Sequence, residues 1–288
     1  MDPRIARSVW HQLEAINAVA YFTDECRDAA SDLGFKGFWM GYFACRASPM
    51  GAVPAGVVEA TFFNFHPSRV RRAIPDAWAI ADPAEVVIAR SSEAAAALRR
   101  LLPSGDAERL AGTVTPALRV AIDTADSAGR PLFAANRDVS VPDDPVAALW
   151  QAATTLREHR GDGHVALLTS VGLDGCEAHV LFAAGEGIDP ELFQQSRGWS
   201  GDDWAAACEK LSARGLIASD ESLTASGRQL RAQIENDTDT LAMAPYSAVG
   251  EPAIDRLLDA LSPAASQVAA SGDLIFPNPM GLPDPRNA

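Results

Sequence analysis

Residues 196–237 read SRGWSGDDWAAACEKLSARGLIASDESLTASGRQLRAQIEND, and this stretch decides the fold class. Ser200 predicts a helix start, because a serine hydroxyl can accept a hydrogen bond from the free amides of a first helical turn. The RGLI segment at 214–217 then ends this helix and begins a strand. A tight turn over 218–221 returns the chain to a second helix, which Thr224 caps. This order is typical of the second half of a winged helix-turn-helix.

Most of the remaining chain predicts helices, because alanine-rich segments place apolar residues three and four positions apart. Proline at a first helical position has no amide hydrogen to leave unsatisfied, so Pro67 and Pro83 predict helix starts. The aromatic segment 35–47 (FKGFWMGYFACRA) is expected to be largely buried. The predicted helices cover residues 4–32, 54–64, 67–77, 83–102, 107–127, 145–160, 164–172 and 175–184. The predicted fold is therefore all-α, mainly helical, with a small β-wing.

Proline-rich stretches suggest the domain organisation. Residues 129–145 (GRPLFAANRDVSVPDDP) contain three prolines and few helix formers, so they predict a linker. It would join an N-terminal helical domain over 1–128 to a winged-helix-like domain over 146–271. The tail over 272–288 contains four further prolines and predicts an irregular segment.

A weak internal similarity also appears. Residues 37–78 run through an aromatic helix, a PMG turn, a second helix and a tryptophan, and residues 163–199 follow a comparable order. This similarity is the basis for a possible tandem duplication of winged-helix-like halves.

Composition excludes several classes of protein. The 288 residues are 48% hydrophobic and 22% charged, which is incompatible with a disordered chain. The N-terminus lacks the order of a signal peptide, no run of about 18 apolar residues occurs, and the four cysteines form no CxxC pair. We therefore expect a cytoplasmic protein with free thiols and no membrane contact. The chain has no GxGxxG, P-loop or GxSxG motif, which disfavours common nucleotide-dependent enzymes and α/β hydrolases, and the cofactor stays unknown.

Two resemblances follow from longer motifs. GLI at 215–217 and LTASGRQLR at 223–231 resemble MarR-type regulators, which implies a homodimer formed through terminal helices. FFNFHPSRVRRAIPDAW at 62–78, LWQAATTLREHRGDGH at 149–164 and the terminal NPMGLP are similar to a set of uncharacterised actinobacterial helix-turn-helix proteins. This second resemblance implies a winged-helix fold in a bacterial cytosol. It supplies no activity and no catalytic residues.

Charge argues against DNA binding. The net charge is −14, whereas contacts to phosphates need clustered Lys and Arg. The reading helix of a winged helix would be 201–214, and its groove-entering end carries Asp202 and Asp203. The wing sequence ASDES is also acidic and short. A regulator would therefore need Arg197, Arg214 and a dimer to supply the missing positive charge.

Two polar clusters are candidates for a ligand site. LREHRGDGH at 156–164 could hold a polar ligand, or a metal through two histidines and a carboxylate, although HxxDxH is unlike HExxH. A plainer interpretation makes it two helix caps in series, with Gly161 left-handed and Asp162 capping the next helix. The second cluster precedes and begins the helix at Pro67, where arginines near a helix N-terminus suit an anion. The candidate ligand-binding residues are Asn64, His66, Arg69, Arg157, His159, Asp162 and His164.

Three functions remain open from the sequence. The first is a winged-helix-type protein that holds a small polar or anionic ligand between its two halves and does not bind DNA. The second is a MarR-like transcriptional regulator. The third is a small-molecule enzyme that uses His66, His159, Asp162 and His164, with or without a metal.

Overall fold

A computed structural model describes residues 1–287 and shows a helical protein. The first half of the chain forms eight helices with two short 3₁₀ turns, at Ser48–Met50 and Asp76–Ala79, between them. These helices are α1 (Arg4–Phe22), α2 (Asp24–Asp32), α3 (Gly37–Ala47), α4 (Ala55–Thr61), α5 (Pro67–Arg71), α6 (Pro83–Leu101), α7 (Asp106–Thr124) and α8 (Pro131–Arg137).

The second half continues in the same way and ends in an irregular tail with a 3₁₀ turn at Pro285–Asn287. Its helices are α9 (Pro145–Ser170), α10 (Gly175–Glu186), α11 (Pro190–Arg197), α12 (Gly201–Ala213), α13 (Ala225–Ala242), α14 (Ala244–Val249) and α15 (Glu251–Ala270). The predicted all-α character is confirmed.

Helix starts follow their sequence signals closely. The Ser200 hydroxyl accepts a hydrogen bond from the Asp203 amide, and the Asp203 carboxylate accepts one from the Ser200 amide, which is a complete capping box. The Thr224 hydroxyl caps α13 by accepting from the Gly227 amide. The carboxylate of Asp82 caps α6, in which Pro83 is the first residue.

The long first helix of the sequence prediction is two helices. Thr23 adopts an extended conformation, with φ −87° and ψ 153°, between α1 and α2. Its hydroxyl and its amide both donate to the Val19 carbonyl, at 2.8 and 3.1 Å. A threonine side chain that bonds the preceding turn in this way competes with the continuing helix, and the chain turns here.

The predicted break at Gly161-Asp162-Gly163 is wrong, because α9 runs through it without interruption to Ser170. Gly161 is therefore not a left-handed cap, and Asp162 does not begin a new helix. The reason is burial: α9 packs against α1, α7, α8 and α13. This packing outweighs the roughly 1 kcal/mol that each glycine costs in a helix interior. A side chain at Gly163 would also approach the Arg130 guanidinium to 2.7 Å.

The core consists of three main clusters arranged around α9. The largest draws apolar side chains from α1, α6, α7, α9, α14 and α15, so it includes residues on both sides of the predicted linker. The second joins α3, α4 and α5, and the third joins α10 to α13. The segment 129–145 contains α8, which packs against α9. Where the chain divides into domains stays a prediction, as does the tandem duplication.

The expected β-wing is not formed as a pair of strands among residues 1–287. Only an isolated antiparallel bridge joins Ile217 to Leu223. Glu221 turns the chain between these two residues with a positive φ of 63°. Hydrogen bonds from the Ala218 amide to the Ser222 carbonyl, at 2.8 Å, and from the Thr224 amide to the Leu216 carbonyl, at 3.1 Å, lie on either side of the bridge.

No single helix in the described chain is long and apolar enough to cross a membrane. By length and composition alone, α9 and α10 pass that test together as a pair bent by 100°.

The continuity of α9 can be tested at Gly161. A Cβ at this position would meet only the Glu158 and Arg157 side chains, at 3.6 and 3.7 Å, which is ordinary contact. We expect Gly161→Ala to raise the free energy of unfolding by roughly 0.5–1 kcal/mol, since alanine favours a helix interior. Urea denaturation measures the change.

Gly215→Ala is the matched control, because Gly215 has open space but a positive φ of 68°. Its free energy of unfolding should fall by about 1 kcal/mol. A loss of similar size in Gly161→Ala would show that Gly161 ends a helix after all.

Candidate functional site

A buried ion network lies at the middle of α9. Glu158 is 2% exposed, and its Oε1 accepts a hydrogen bond from Arg46 Nη2 on α3 at 2.9 Å. Its other oxygen accepts from Arg157 Nη1 at 2.7 Å. Arg157 Nε in turn lies 3.3 Å from Glu14 Oε2 on α1. The network therefore links the N-terminal helices α1 and α3 through one carboxylate of α9.

The two carboxylates of this network have opposite pKa shifts. Burial alone would raise the pKa of Glu158, but Arg157 and Arg46 outweigh burial and hold it at about 2. Burial dominates at Glu14 and raises its pKa, in spite of Arg157. Glu158 is therefore the firmly charged centre of the network.

A cavity of about 180 Å³ lies beside this network, between α1, α2, α3, α6 and α9. Most of its wall is apolar. Its buried or half-buried charged groups come from α3, α6 and α9, whereas the polar residues that α2 adds, Arg27 and Ser31, are exposed. The buried or half-buried polar and aromatic residues of the wall are Tyr21, Cys26, Phe35, Tyr42, Cys45, Arg46, Arg90, Trp150, Thr154 and Glu158. Burial is the largest influence on both thiols and raises the pKa of Cys26 to about 12 and that of Cys45 to about 11, so both stay protonated.

Arg90 is the unusual member of this wall. It is 5% exposed, yet its guanidinium donates only to neutral oxygens: Nη1 to the Cys45 carbonyl at 2.9 Å, and Nη2 to Asn136 Oδ1 and Gln151 Oε1 at 2.9 and 3.0 Å. Within residues 1–287, no carboxylate forms an ion pair with it. Burial lowers the pKa of Arg90 to about 10, so it still carries its charge at neutral pH.

The candidate residues of α9 do not converge on one place. Arg157 belongs to the ion network, whereas the His159 ring packs edge-on against Phe133, with 4.9 Å between centroids. His164 Nδ1 lies 3.0 Å from the Thr238 hydroxyl of α13. The helix therefore points these side chains towards different neighbours.

The metal hypothesis for this segment receives no support from geometry. In the described part of the chain, no three His, Cys, Asp or Glu side chains are grouped so that they could hold a metal ion. Burial and the nearby Arg130 lower the pKa of His159 to about 3. His159 is thus a neutral core side chain.

Asn64, His66 and Arg69 lie at a contact between the two halves of the chain. The Asn64 carbonyl accepts from Trp199 Nε1 at 3.0 Å, and the His66 amide donates to the Arg197 carbonyl at 3.0 Å. His66 Nδ1 also accepts from the Ser68 amide and so caps the helix that begins at Pro67, the start that the sequence predicts. Arg69 stacks on the ring of Trp39 at 4.4 Å. None of the three lines the cavity.

The helices α11 and α12 follow one another across residues 198–200, where Gly198 has a positive φ of 87°. A helix-turn-helix family matches residues 6–275, which is nearly the whole chain. The chain belongs to this helix-turn-helix family. No curated protein and no solved structure matches it. The family description indicates a domain of the DNA-binding type and names no ligand or reaction.

Sequence reasoning missed most residues of the cavity wall in this helix-turn-helix protein. Arg46 is the one charge in the apolar helix α3 (GFWMGYFACRA), and Arg90 lies in the apolar first half of α6, within VVIARSS at 86–92. Such a charge is costly to bury without partners, so each could have been singled out as a buried polar candidate. Their partners lie 112 and 46 residues away in sequence, which no local pattern shows.

Asp162 offers a test of how α8 and α9 are joined. Its Oδ2 accepts from the Phe133 amide in the first turn of α8, at 2.9 Å. Burial raises the pKa of Asp162 from 3.8 to about 7, against the lowering effects of this bond and of Arg130. The folded protein thus holds a proton that the unfolded chain releases, so this stabilising contribution is complete below pH 3.8 and is lost as pH rises through 7.

We expect Asp162→Asn, which keeps an acceptor for the Phe133 amide, to remove this pH dependence. As pH rises, the free energy of unfolding of the variant should increase relative to that of the wild type, by on the order of 4 kcal/mol in all. Denaturant titrations at several pH values measure the difference. A constant offset between the two proteins across this pH range would contradict the raised pKa.

Proposed function

We propose that this helix-turn-helix protein binds a small anionic ligand in the cavity beside Arg46 and Arg90, and that it does not bind DNA. The observation that carries the proposal is Arg90, a buried cation without a charged partner on the wall of a cavity. The wall contains two largely buried arginines, Arg46 and Arg90, and one carboxylate, Glu158, which pairs with Arg46. The exposed Arg27 of the wall pairs with Asp24, so the wall has a positive excess.

The energetics of burial favour an anion at this place. A charge taken out of water loses several kcal/mol of solvation, which hydrogen bonds to neutral oxygens offset only in part. Arg90 donates three such bonds, and its guanidinium carbon lies 5.3 Å from the centroid of the Trp150 ring. An anion in the cavity would add the missing counter-charge in a region of low dielectric.

Within this proposal, the C-terminal half is a MarR-like winged helix that serves as a scaffold. The order of α11, α12, the bridge at Ile217 and Leu223, and α13 supports it. The ligand position differs from the sequence hypothesis, because the cavity lies among helices of the N-terminal half and α9. The homodimer stays a prediction.

The charges around α12 support a role without DNA. Arg197, one of the two arginines that a regulator would use, is buried and donates to the Pro279 carbonyl. Arg214 donates to the carbonyls of Val171 and Gly172, at 2.8 and 2.9 Å. Lys210 pairs with Asp174 at 3.1 Å. The cations near the reading helix are therefore already engaged.

Anion binding should appear as thermal stabilisation that depends on Arg90. We expect sodium acetate, compared with sodium chloride at equal ionic strength, to raise the melting temperature of the wild type by a few degrees, because ligands that bind only the folded state stabilise it. Arg90→Met should abolish the acetate-specific increase, whereas Arg90→Lys should keep part of it.

Arg256→Met is the matched control, since Arg256 is exposed on α15. It should respond to acetate as the wild type does. Equal responses in Arg90→Met and the wild type would show that acetate acts elsewhere, and the proposal would fail.

DNA binding is the second candidate, and the family match favours it. Because α12 carries Asp202 and Asp203 at its start, we expect no retarded band when the protein is mixed at low salt with DNA from its own promoter region. Gel retardation that survives competitor DNA would establish the regulator instead.

A further inference from the structure

We infer that the ligand of this cavity is a small monocarboxylate with an apolar body, which places its carboxylate at Arg90 and Arg46 and its body against α2 and α3. This inference rests on the proposed anion binding and adds the chemical class of the ligand. It follows from three features of the cavity: the distribution of its polar groups, its volume and the number of its uncompensated charges.

The polar and apolar parts of the wall are separate. Arg46, Arg90 and Glu158 come from α3, α6 and α9, where the ion network lies. The wall that α2 and the following loop contribute is largely apolar. Its apolar members are Cys26, Ala29, Ala30, Leu33 and Phe35. The polar members of this part, Arg27 and Ser31, are exposed, and Arg27 pairs with Asp24. A ligand that fills the cavity therefore meets buried charge at one end and mainly carbon at the other.

The volume sets the size of the body. An apolar protein cavity of about 150 Å³ accepts a molecule as large as benzene. The cavity here measures about 180 Å³. A carboxylate with a body of about five or six carbon atoms fills such a space, whereas acetate leaves most of the apolar wall without contacts.

The charges of the wall indicate one negative charge on the ligand. Arg46 already shares Glu158 with Arg157, which leaves Arg90 as the cation without a carboxylate. Tyr21 and Tyr42 add phenol groups to the wall, and burial raises the pKa of Tyr21 to about 12, so Tyr21 is a neutral hydrogen-bond donor. A second negative charge at the far end of the cavity would meet apolar groups and Arg27, whose charge Asp24 already balances, so it would be unfavourable.

Calorimetric titration of the full chain with five matched probes tests the inference. The probes are acetate, hexanoate, hexanamide, succinate and inorganic phosphate. We expect hexanoate to bind roughly tenfold or more tightly than acetate, since each buried methylene contributes to affinity. Hexanamide, succinate and phosphate should bind at least tenfold more weakly than hexanoate.

Two variants locate the two ends of the ligand. Ala29→Leu places a larger side chain in the apolar part of the wall, and we expect it to weaken hexanoate binding at least tenfold while acetate binding stays the same. Arg90→Met should abolish the binding of both carboxylates. Circular dichroism of each variant checks that it is folded.

The outcomes separate this inference from the proposed function. If acetate, hexanoate, succinate and phosphate bind equally and Ala29→Leu changes nothing, the site takes anions in general and the inference is overturned. If hexanamide binds as tightly as hexanoate, the charge of the ligand is irrelevant and both the inference and the proposed function fail. If no probe binds the wild type, both fail as well.

Discussion

The carboxylate of Glu158 is the point on which the arrangement around α9 depends. It is buried, it accepts from Arg46 on α3, and it pairs with Arg157, which reaches Glu14 on α1. Removing one partner of a buried ion pair costs about 3–5 kcal/mol, because the remaining charge is left without compensation. The positions of α1 and α3 relative to α9 are therefore tied to one another through electrostatics as well as through packing.

The cavity is a consequence of this constraint. Phe43 of α3 packs against Phe62 and Phe65, and the Arg46 guanidinium stacks on the Phe62 ring at 4.3 Å. Arg46 is thus fixed from two sides, and the space between it and α2 is not filled by its own side chain. Arg90, held by the backbone of α3 and by side chains of α8 and α9, completes the charged part of the wall. The same contacts that order the fold thereby place positive charge beside an apolar space.

The sequence predicts features that depend on local chemistry and misses those that depend on distant contacts. Ser200, Thr224 and Pro83 mark helix starts because their hydrogen bonds or their missing amide act within one turn. The Gly161-Asp162-Gly163 segment resembles a break for the same local reasons, yet packing on four sides carries α9 through it. Helix propensities of roughly 1 kcal/mol can determine whether an exposed segment is helical, but in a buried segment tertiary packing outweighs them.

The candidate site shows the same difference between local features, which the sequence predicts, and distant contacts, which it does not. Arg157 was identified because LREHRGDGH is rich in polar residues, but its partners Glu14 and Glu158 could not be assigned without the fold. His159, Asp162 and His164 are residue types that are common in binding sites. In the structure, however, His159 packs against Phe133 and His164 lies beside Thr238. Composition alone does not show which face of a helix a residue occupies once the whole circumference is buried.

The family membership favours DNA binding, whereas the acidic start of the reading helix disfavours it. A helix-turn-helix can be kept as a packing unit when its cations are used within the fold, as Arg197 and Arg214 are here. The proposed anion site is lined by residues in the N-terminal half and the middle of α9, namely Trp150, Thr154 and Glu158.

The most direct measurement is anomalous diffraction from crystals soaked in sodium bromide. Bromide is a small monoanion whose position is seen without any assumption about the natural ligand. The account predicts an anomalous peak inside the cavity, in contact with Arg90 or Arg46. Bromide peaks at surface arginines together with none in the cavity would contradict the claim that this buried positive charge receives an anion.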